Sequence, residues 1–81
     1  MYLIEFMPQA VKDLRRVPKK DAKIIVGKIQ ILEQGLSGNI KKLTNFIPEY
    51  RLRVGNYRVL FEVDGDSIII YHIKHRKDAY K

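Results

Sequence analysis

The stretch Tyr50-Arg51-Leu52-Arg53-Val54-Gly55-Asn56-Tyr57-Arg58-Val59-Leu60-Phe61-Glu62-Val63 alternates apolar and charged residues up to a Gly-Asn pair and resumes after it. Alternation with period two marks a strand with one face buried, and two residues between such runs make the shortest hairpin loop. With Gly55 and Asn56 in the loop, Val54 stands opposite Tyr57, Arg53 opposite Arg58, Leu52 opposite Val59 and Arg51 opposite Leu60. Side chains alternate across a sheet, so Tyr50, Leu52, Val54, Tyr57, Val59, Phe61 and Val63 share one face and Arg51, Arg53 and Arg58 the other. The first set is a core face that needs a cover. The second brings like charges together, with Glu62 as the nearby acid, and directly opposed like charges disfavour a sheet by up to ~1 kcal/mol. Stability does not ask for this arrangement. A guanidinium fork holds two phosphate oxygens at once, so the three arginines read as an anion-binding floor, set against the plainer reading of a solvated face.

Outward from the hairpin, Asp64-Gly65-Asp66 is the next turn and Ser67 to Ile73 the last strand. A two-residue loop at either Asp64-Gly65 or Gly65-Asp66 keeps the parity and places Ile69, Tyr71 and Ile73 on the arginine face. His72 then falls on the helix-covered face as a structural histidine, and His75 and Arg76 lie just past the strand's end in a basic tail, Lys74 to Lys81. Toward the start, Tyr2 to Phe6 is a short strand ending before Pro8. Ala10, Val11 and Leu14 recur at helical spacing up to Pro18, and Lys19 to Gln34 continues the period through Ile24, Ile25, Ile29 and Leu32, with Gly35 as a stop. Asp13, Asp21 and Glu33 read as solvated helix-face charges. Ser37 to Glu49 has no period and contains Gly38, Asn39 and Pro48, so it reads as a connecting segment pinned by Leu43 and by Phe46 or Ile47. The expected fold is α+β, in the order β-α-α-β-β-β, with a helical hairpin packed on one face of a small, mainly antiparallel sheet.

Composition narrows the function. The chain has 81 residues, suited to one domain spanning 1–81, with 46% hydrophobic and 31% charged residues, which excludes a disordered tail. Sixteen Lys and Arg against 9 Asp and Glu give a net charge of +7 and a pI near 9.8. That excess favours a polyanionic partner, because counterion release and long-range attraction need no special geometry. No cysteine occurs, which excludes disulfides, thiol nucleophiles and thiolate metal sites and suits a reducing cytosol. The start carries no basic n-region, and no apolar run approaches the ~18 residues of a membrane span. His72 and His75 with Asp78 form a weak metal pattern, so neither metal nor cofactor is expected. Ser37, Thr44 and Ser67 are isolated hydroxyls. Lys19 and Lys20, at the helix junction, read either as plain surface or as a patch for ribosomal RNA phosphates.

The run from Tyr50 to Val63, followed by Tyr71-His72-Ile73-Lys74-His75-Arg76-Lys77-Asp78-Ala79-Tyr80, resembles the RelE branch of the RelE/ParE toxin superfamily of bacterial and archaeal toxin–antitoxin modules. The resemblance covers nearly the whole chain and is strongest from Leu43 to Tyr80. It implies a cytoplasmic, ribosome-dependent endoribonuclease that cuts mRNA in the A site and is silenced by a cognate, RelB-like antitoxin. By that resemblance Arg51 and Arg53 stand where basic residues hold the mRNA backbone, joined in the tail by Lys74 and Lys77. Arg58 matches the arginine that stabilises the scissile phosphate. Arg76 matches a basic residue assigned to charge stabilisation or to protonation of the leaving group. Tyr80 matches a C-terminal tyrosine that stacks on a base or accepts a proton. Some members carry lysines at the positions of Arg51 and Arg53, and the spacing from Arg76 to Tyr80 varies.

Cutting RNA without a metal uses the adjacent 2′-hydroxyl as nucleophile, so the protein must take one proton, give one and neutralise the phosphorane. For the proton acceptor, resemblance favours Tyr80, while an imidazole, with an ordinary pKa near ~6.5, favours His75 on chemistry. Two other readings remain open: a ParE-like relative that poisons DNA gyrase by binding alone, and a non-toxic nucleic-acid-binding relative.

Overall fold

Two helices lie on one face of a five-stranded sheet in the computed structural model, which describes residues 1–79. The elements are β1 (Leu3–Phe6), α1 (Pro8–Arg16), α2 (Lys19–Ile31), β2 (Ile40–Lys42), β3 (Tyr50–Val54), β4 (Tyr57–Asp64) and β5 (Ser67–His75), with a 3-10 turn at Leu32–Gln34 ending α2. The sheet order is β1-β5-β4-β3-β2, with β1 parallel to β5 and every other pair antiparallel. The fold is α+β as expected, but the segment from Ser37 to Glu49 contributes a strand that sequence periodicity did not show. β2 is three residues long, too short to display an alternation, and two of the three are lysines. Lysines on a short edge strand discourage pairing with a further chain.

The central hairpin has the expected register: Val54 pairs with Tyr57, Arg53 with Arg58, Leu52 with Val59 and Arg51 with Leu60. Gly55 adopts φ 57° while Asn56 stays out of the left-handed region. A glycine at the first loop position with positive φ twists the turn to match its strands. The second loop resolves to Gly65-Asp66, because Asp64 pairs with Ser67. In β5 the expected parity fails. Phe61 pairs with Ile70 but Leu60 pairs with His72, so Tyr71 is an extra residue in a β-bulge. Beyond it every side chain has changed sides. Ile73, expected on the arginine face, is 3% exposed in the core. His72, expected under the helices, shares a row with Leu60 and Arg51, and His75, expected past the strand, is its last residue, opposite Tyr57.

Leu52, Val54, Val59, Phe61, Ile68 and Ile70 present the buried face of the sheet. α1 covers β5 with Ala10, Leu14 and Val17, while α2 and its 3-10 turn bring in Ile25, Ile29 and Leu32. Both sets run i, i+4, i+7, one stripe of a helix. Val11 and Ile24, each next to a stripe residue, are rotated ~100° away by the 3.6-residue turn and are exposed. Ile47 is 86% exposed, so it does not pin the loop before β3. Phe61 also stacks on Tyr50, with ring centroids 5.4 Å apart.

The outer edge of β5 is only half covered by a strand. β1 pairs with Ser67 to Ile70, and the Met7 amide then donates to the Ile70 carbonyl at 2.9 Å. Past that point α1 takes over with a side chain: Asp13 Oδ2 accepts the Ile73 amide at 3.0 Å, and Oδ1 accepts Gln9 Nε2 at 2.8 Å. Asp13 is thus not the solvated charge its helical position suggests, since its side chain is only 10% exposed.

Phe61→Ala should lower the unfolding free energy by roughly 3–5 kcal/mol in chemical denaturation, as a fully buried ring leaves a cavity behind. Asp13→Ala should cost about 1–3 kcal/mol by orphaning the Ile73 amide, whereas Asp13→Asn, whose carbonyl still accepts that bond, should cost less. Equal losses for the two Asp13 variants would show that the contact is not what holds α1 to the edge.

Candidate nucleic-acid interface

The registers of four strands assemble a basic surface on the face away from the helices. Lys41 of β2, Arg51 of β3, Leu60 of β4 and His72 of β5 form one row. Arg53, Arg58 and Lys74 form the next. Strands lie ~4.8 Å apart and like-facing residues ~6.7 Å apart along a strand, so the two rows make a compact grid of cations. Lys41 was not foreseen, because its place follows only from β2 pairing with β3. Glu62, on the same face, accepts the Glu49 amide with Oε1 at 2.8 Å, and Glu49 in turn lies 3.7 Å from Lys42 Nζ. Leu60 sits among the cations yet is 2% exposed. The aliphatic stems of long basic side chains shield apolar surface in this way while their heads stay wet. The Arg51 Nε is buried and has no hydrogen-bond partner among the described residues.

Arg58 is held by its guanidinium head. Its Nη1 donates to the carbonyls of Gly55 at 2.9 Å and Tyr57 at 3.0 Å, so the guanidinium curls over the hairpin loop. The same loop anchors the tail, because the Arg76 amide donates to the Asn56 carbonyl at 2.7 Å. Arg58 and Arg76, eighteen positions apart, therefore meet at one turn. After Arg76 the chain makes a further turn, with the Asp78 amide on the His75 carbonyl at 2.8 Å and Ala79 buried. Lys77 is exposed in this turn. Tyr80 lies outside the described residues.

The structure separates His75 from the arginines. Its register partner is Tyr57, a residue of the helix-covered face, and the two rings meet edge to face at 5.6 Å. His75 Nδ1 accepts the Lys77 amide at 3.3 Å. It opens instead on a cleft of about 510 Å³ between the end of α1 and the end of β5, with Asp13, Arg16, Tyr57, His72 and Asp78 around it. His72 lies deeper, its Nδ1 buried and 3.8 Å from Asp13 Oδ2. Neither His72 nor Asp13 was legible as part of a site. The run Ile68-Ile69-Ile70-Tyr71-His72-Ile73 is apolar at nearly every position, which hides both the parity and the bulge.

Comparison with known proteins agrees with this architecture. Residues 4–80 match the family model of the ParE toxin of the type II toxin–antitoxin system parDE. The chain is 41% identical over 80 residues to toxin RelE3 of Methanocaldococcus jannaschii, covering 93% of this chain and 91% of that protein. Among solved structures it resembles the RelB–RelE antitoxin–toxin complex of Methanococcus jannaschii, with a TM-score of 0.79, 39% identity and 94% coverage of both chains. It also resembles the archaeal RelE–RelB complex of Pyrococcus horikoshii, with a TM-score of 0.78 and 28% identity, covering 96% of this chain and 98% of the other. The basic grid is thus displayed on a shared scaffold, and the chain belongs to the ParE and RelE family of type II toxin–antitoxin toxins, within which it is of RelE type.

Proposed function

We propose that the protein is a ribosome-dependent endoribonuclease that inhibits translation in the cytoplasm by cutting mRNA in the A site. The observation that carries this reading is the Arg53–Arg58–Lys74 row with Arg76 tied to the same turn. A protein that only needed a sheet would not set Arg53 against Arg58. In the reaction, Arg51 and Arg53, with Lys74 and Lys77 toward the tail, hold the RNA backbone. Arg58 and Arg76 neutralise charge on the phosphorane, a service that arginine gives at any working pH. Carbonyl bonds from Nη1 of Arg58 fix its approach, so little reorganisation remains when charge develops. Tyr80 keeps the roles that the resemblance gives it, stacking on a base or proton transfer.

The family model is described for ParE, and this supports a second reading in which the protein poisons DNA gyrase by binding. Such a binder has no chemical use for Arg58 and Arg76 together. The two readings part in one comparison: purified protein with mRNA-programmed ribosomes, with the same RNA free in solution, and with gyrase and supercoiled DNA. Cleavage on ribosomes that far exceeds cleavage of free RNA is expected. Equal cleavage of both RNAs, or gyrase inhibition without RNA cleavage, would overturn the proposal.

The structures of the relatives contain RelB antitoxins, and by that likeness this chain is held silent by a RelB-like protein. A net charge of +7 suits a partly acidic, amphipathic segment as the silencer, with fast, salt-sensitive association. Co-expression of the neighbouring small reading frame should restore growth and yield a complex whose association slows as salt rises. Failure on both counts would reject the pairing.

Arg58→Ala should reduce cleavage on ribosomes by about 10²–10³-fold, as for loss of one donor to developing charge. Its stability should change by no more than about 1 kcal/mol, because relief of repulsion opposes loss of the Gly55 and Tyr57 carbonyl bonds. A folded variant that cuts at the parental rate would leave Arg76 as the chief stabiliser.

A further inference from the structure

We infer that His72 is the group that takes the proton from the attacking 2′-hydroxyl, and that Asp13 positions it. The inference rests on the ribonuclease reading and adds a proton acceptor within the described residues. Three observations meet at this histidine. The bulge at Tyr71 moves it out of the helix-covered core and into the row of Leu60 and Arg51. There it is the diagonal neighbour of Arg58, since Arg58 pairs with Lys74 and Leu60 with His72. Diagonal neighbours on one face lie ~7–8 Å apart, within reach of two side chains that share one phosphodiester.

The second observation is the ring's orientation. Nδ1 is buried without a hydrogen-bond partner and lies 3.8 Å from Asp13 Oδ2, while about a third of the side chain is exposed. Nδ1 is the ring nitrogen that is buried without a partner, so the reacting role falls to the other nitrogen, Nε2. A proton on Nδ1 faces the carboxylate, so the neutral ring keeps its lone pair on Nε2, the tautomer a base requires. The separation is longer than a hydrogen bond, and pairs of this kind are often loose until substrate binds. Asp13 is itself fixed, by the Ile73 amide on one oxygen and Gln9 on the other.

The third observation concerns the competing histidine. His75 Nδ1 accepts the Lys77 amide, so the neutral ring carries its proton on Nε2. That tautomer offers a donor where a base needs a lone pair. His75 also belongs to the row of Tyr57, on the side away from Arg58.

In the step, the 2′-hydroxyl gives its proton to His72 Nε2 as its oxygen bonds to phosphorus. The bond from phosphorus to the 5′ oxygen breaks, leaving a 2′,3′-cyclic phosphate. The leaving oxygen takes a proton from water, and the hydroxide so formed is neutralised by the proton on His72, which returns the ring to its starting state. The cleft that His72 lines is also lined by the charged or titratable groups of Asp13 and Arg16 from α1, Tyr57 from β4, Lys74 and His75 from β5 and Asp78 from the following turn. One full negative charge is in direct reach of Nδ1, and it stabilises the imidazolium that forms.

The test is single-turnover cleavage of ribosome-bound mRNA across pH 5 to 9 by the parent protein, His72→Gln, His72→Gly and Asp13→Asn, with melting curves for each. The parent's rate should fall toward acid pH, as it does for any reaction that needs a free proton acceptor. His72→Gln should be slower by about 10²–10⁴-fold, should bind ribosomes as the parent does, and should lack that acid limb. Added imidazole should restore part of the rate of His72→Gly. Asp13→Asn, folded and ribosome-bound, should lower the maximal rate and shift the acid limb without altering half-saturation. A folded His72→Gln with the parental rate and pH profile would overturn the inference and leave the ribonuclease reading intact. A parent that does not cut on ribosomes would overturn both. Unfolding of His72→Gln would leave imidazole rescue of His72→Gly to decide, with no rescue counting against the base.

Discussion

Everything on the outer face of this sheet follows from what the inner face must do. Leu52, Val54, Val59 and Phe61 are required against the helices, and a pleated backbone then sends the intervening residues outward. In a chain this small there is one core and one good sheet, so the outward face is the largest rigid platform available. Arg51, Arg53 and Arg58 occupy it, carried there by the pairing of β3 with β4. Hydrophobic burial on one side thereby sets the geometry of charge on the other.

How far the sequence could be read depended on how strongly each segment was patterned. The hairpin was legible to the residue, because apolar and charged residues alternate on both sides of a Gly-Asn pair, with Leu60 as the one break. The helix stripes were legible in period but not in width, so Val11 and Ile24 were placed inside when they lie at the margin. β2 was not legible, since three residues cannot display a period and their pairing depends on a partner ten positions away. The bulge in β5 was hidden for the opposite reason: three successive isoleucines satisfy either parity, and the core selects one only once the chain is folded. Errors in the site follow from that bulge. The unbroken parity puts His72 and Ile73 on each other's sides and ends the strand before His75, whose ring lies against Tyr57.

The candidate site is built from two materials with different properties. Cations on β3, β4 and β5 are fixed by ladder hydrogen bonds and vary little in position. Arg76 to Ala79 are tied to the Gly55-Asn56 loop by the Arg76 amide, and local opening of such a turn costs less than opening a strand. A substrate that engages both experiences a firm floor and an adjustable margin. This division suits an RNA that must be gripped by its uniform backbone and then bent toward one reactive hydroxyl.

The parallel pairing of β1 with β5 has a consequence for the order of events during folding. Leu3 to Phe6 find their partners in Ser67 to Ile70, more than sixty positions later, with both helices and three strands between them. The β3-β4-β5 meander is joined by two-residue loops and can form from local contacts alone, whereas β1 has no edge to join until that meander exists. Non-local closures of this kind are slow, because loop entropy is lost before contacts compensate it. The amino-terminal strand is accordingly among the last elements to dock, although it is the first to be made. Its docking also brings α1, and with it Asp13, to the open edge of β5, so the cleft beside His72 is completed only when the whole sheet has closed.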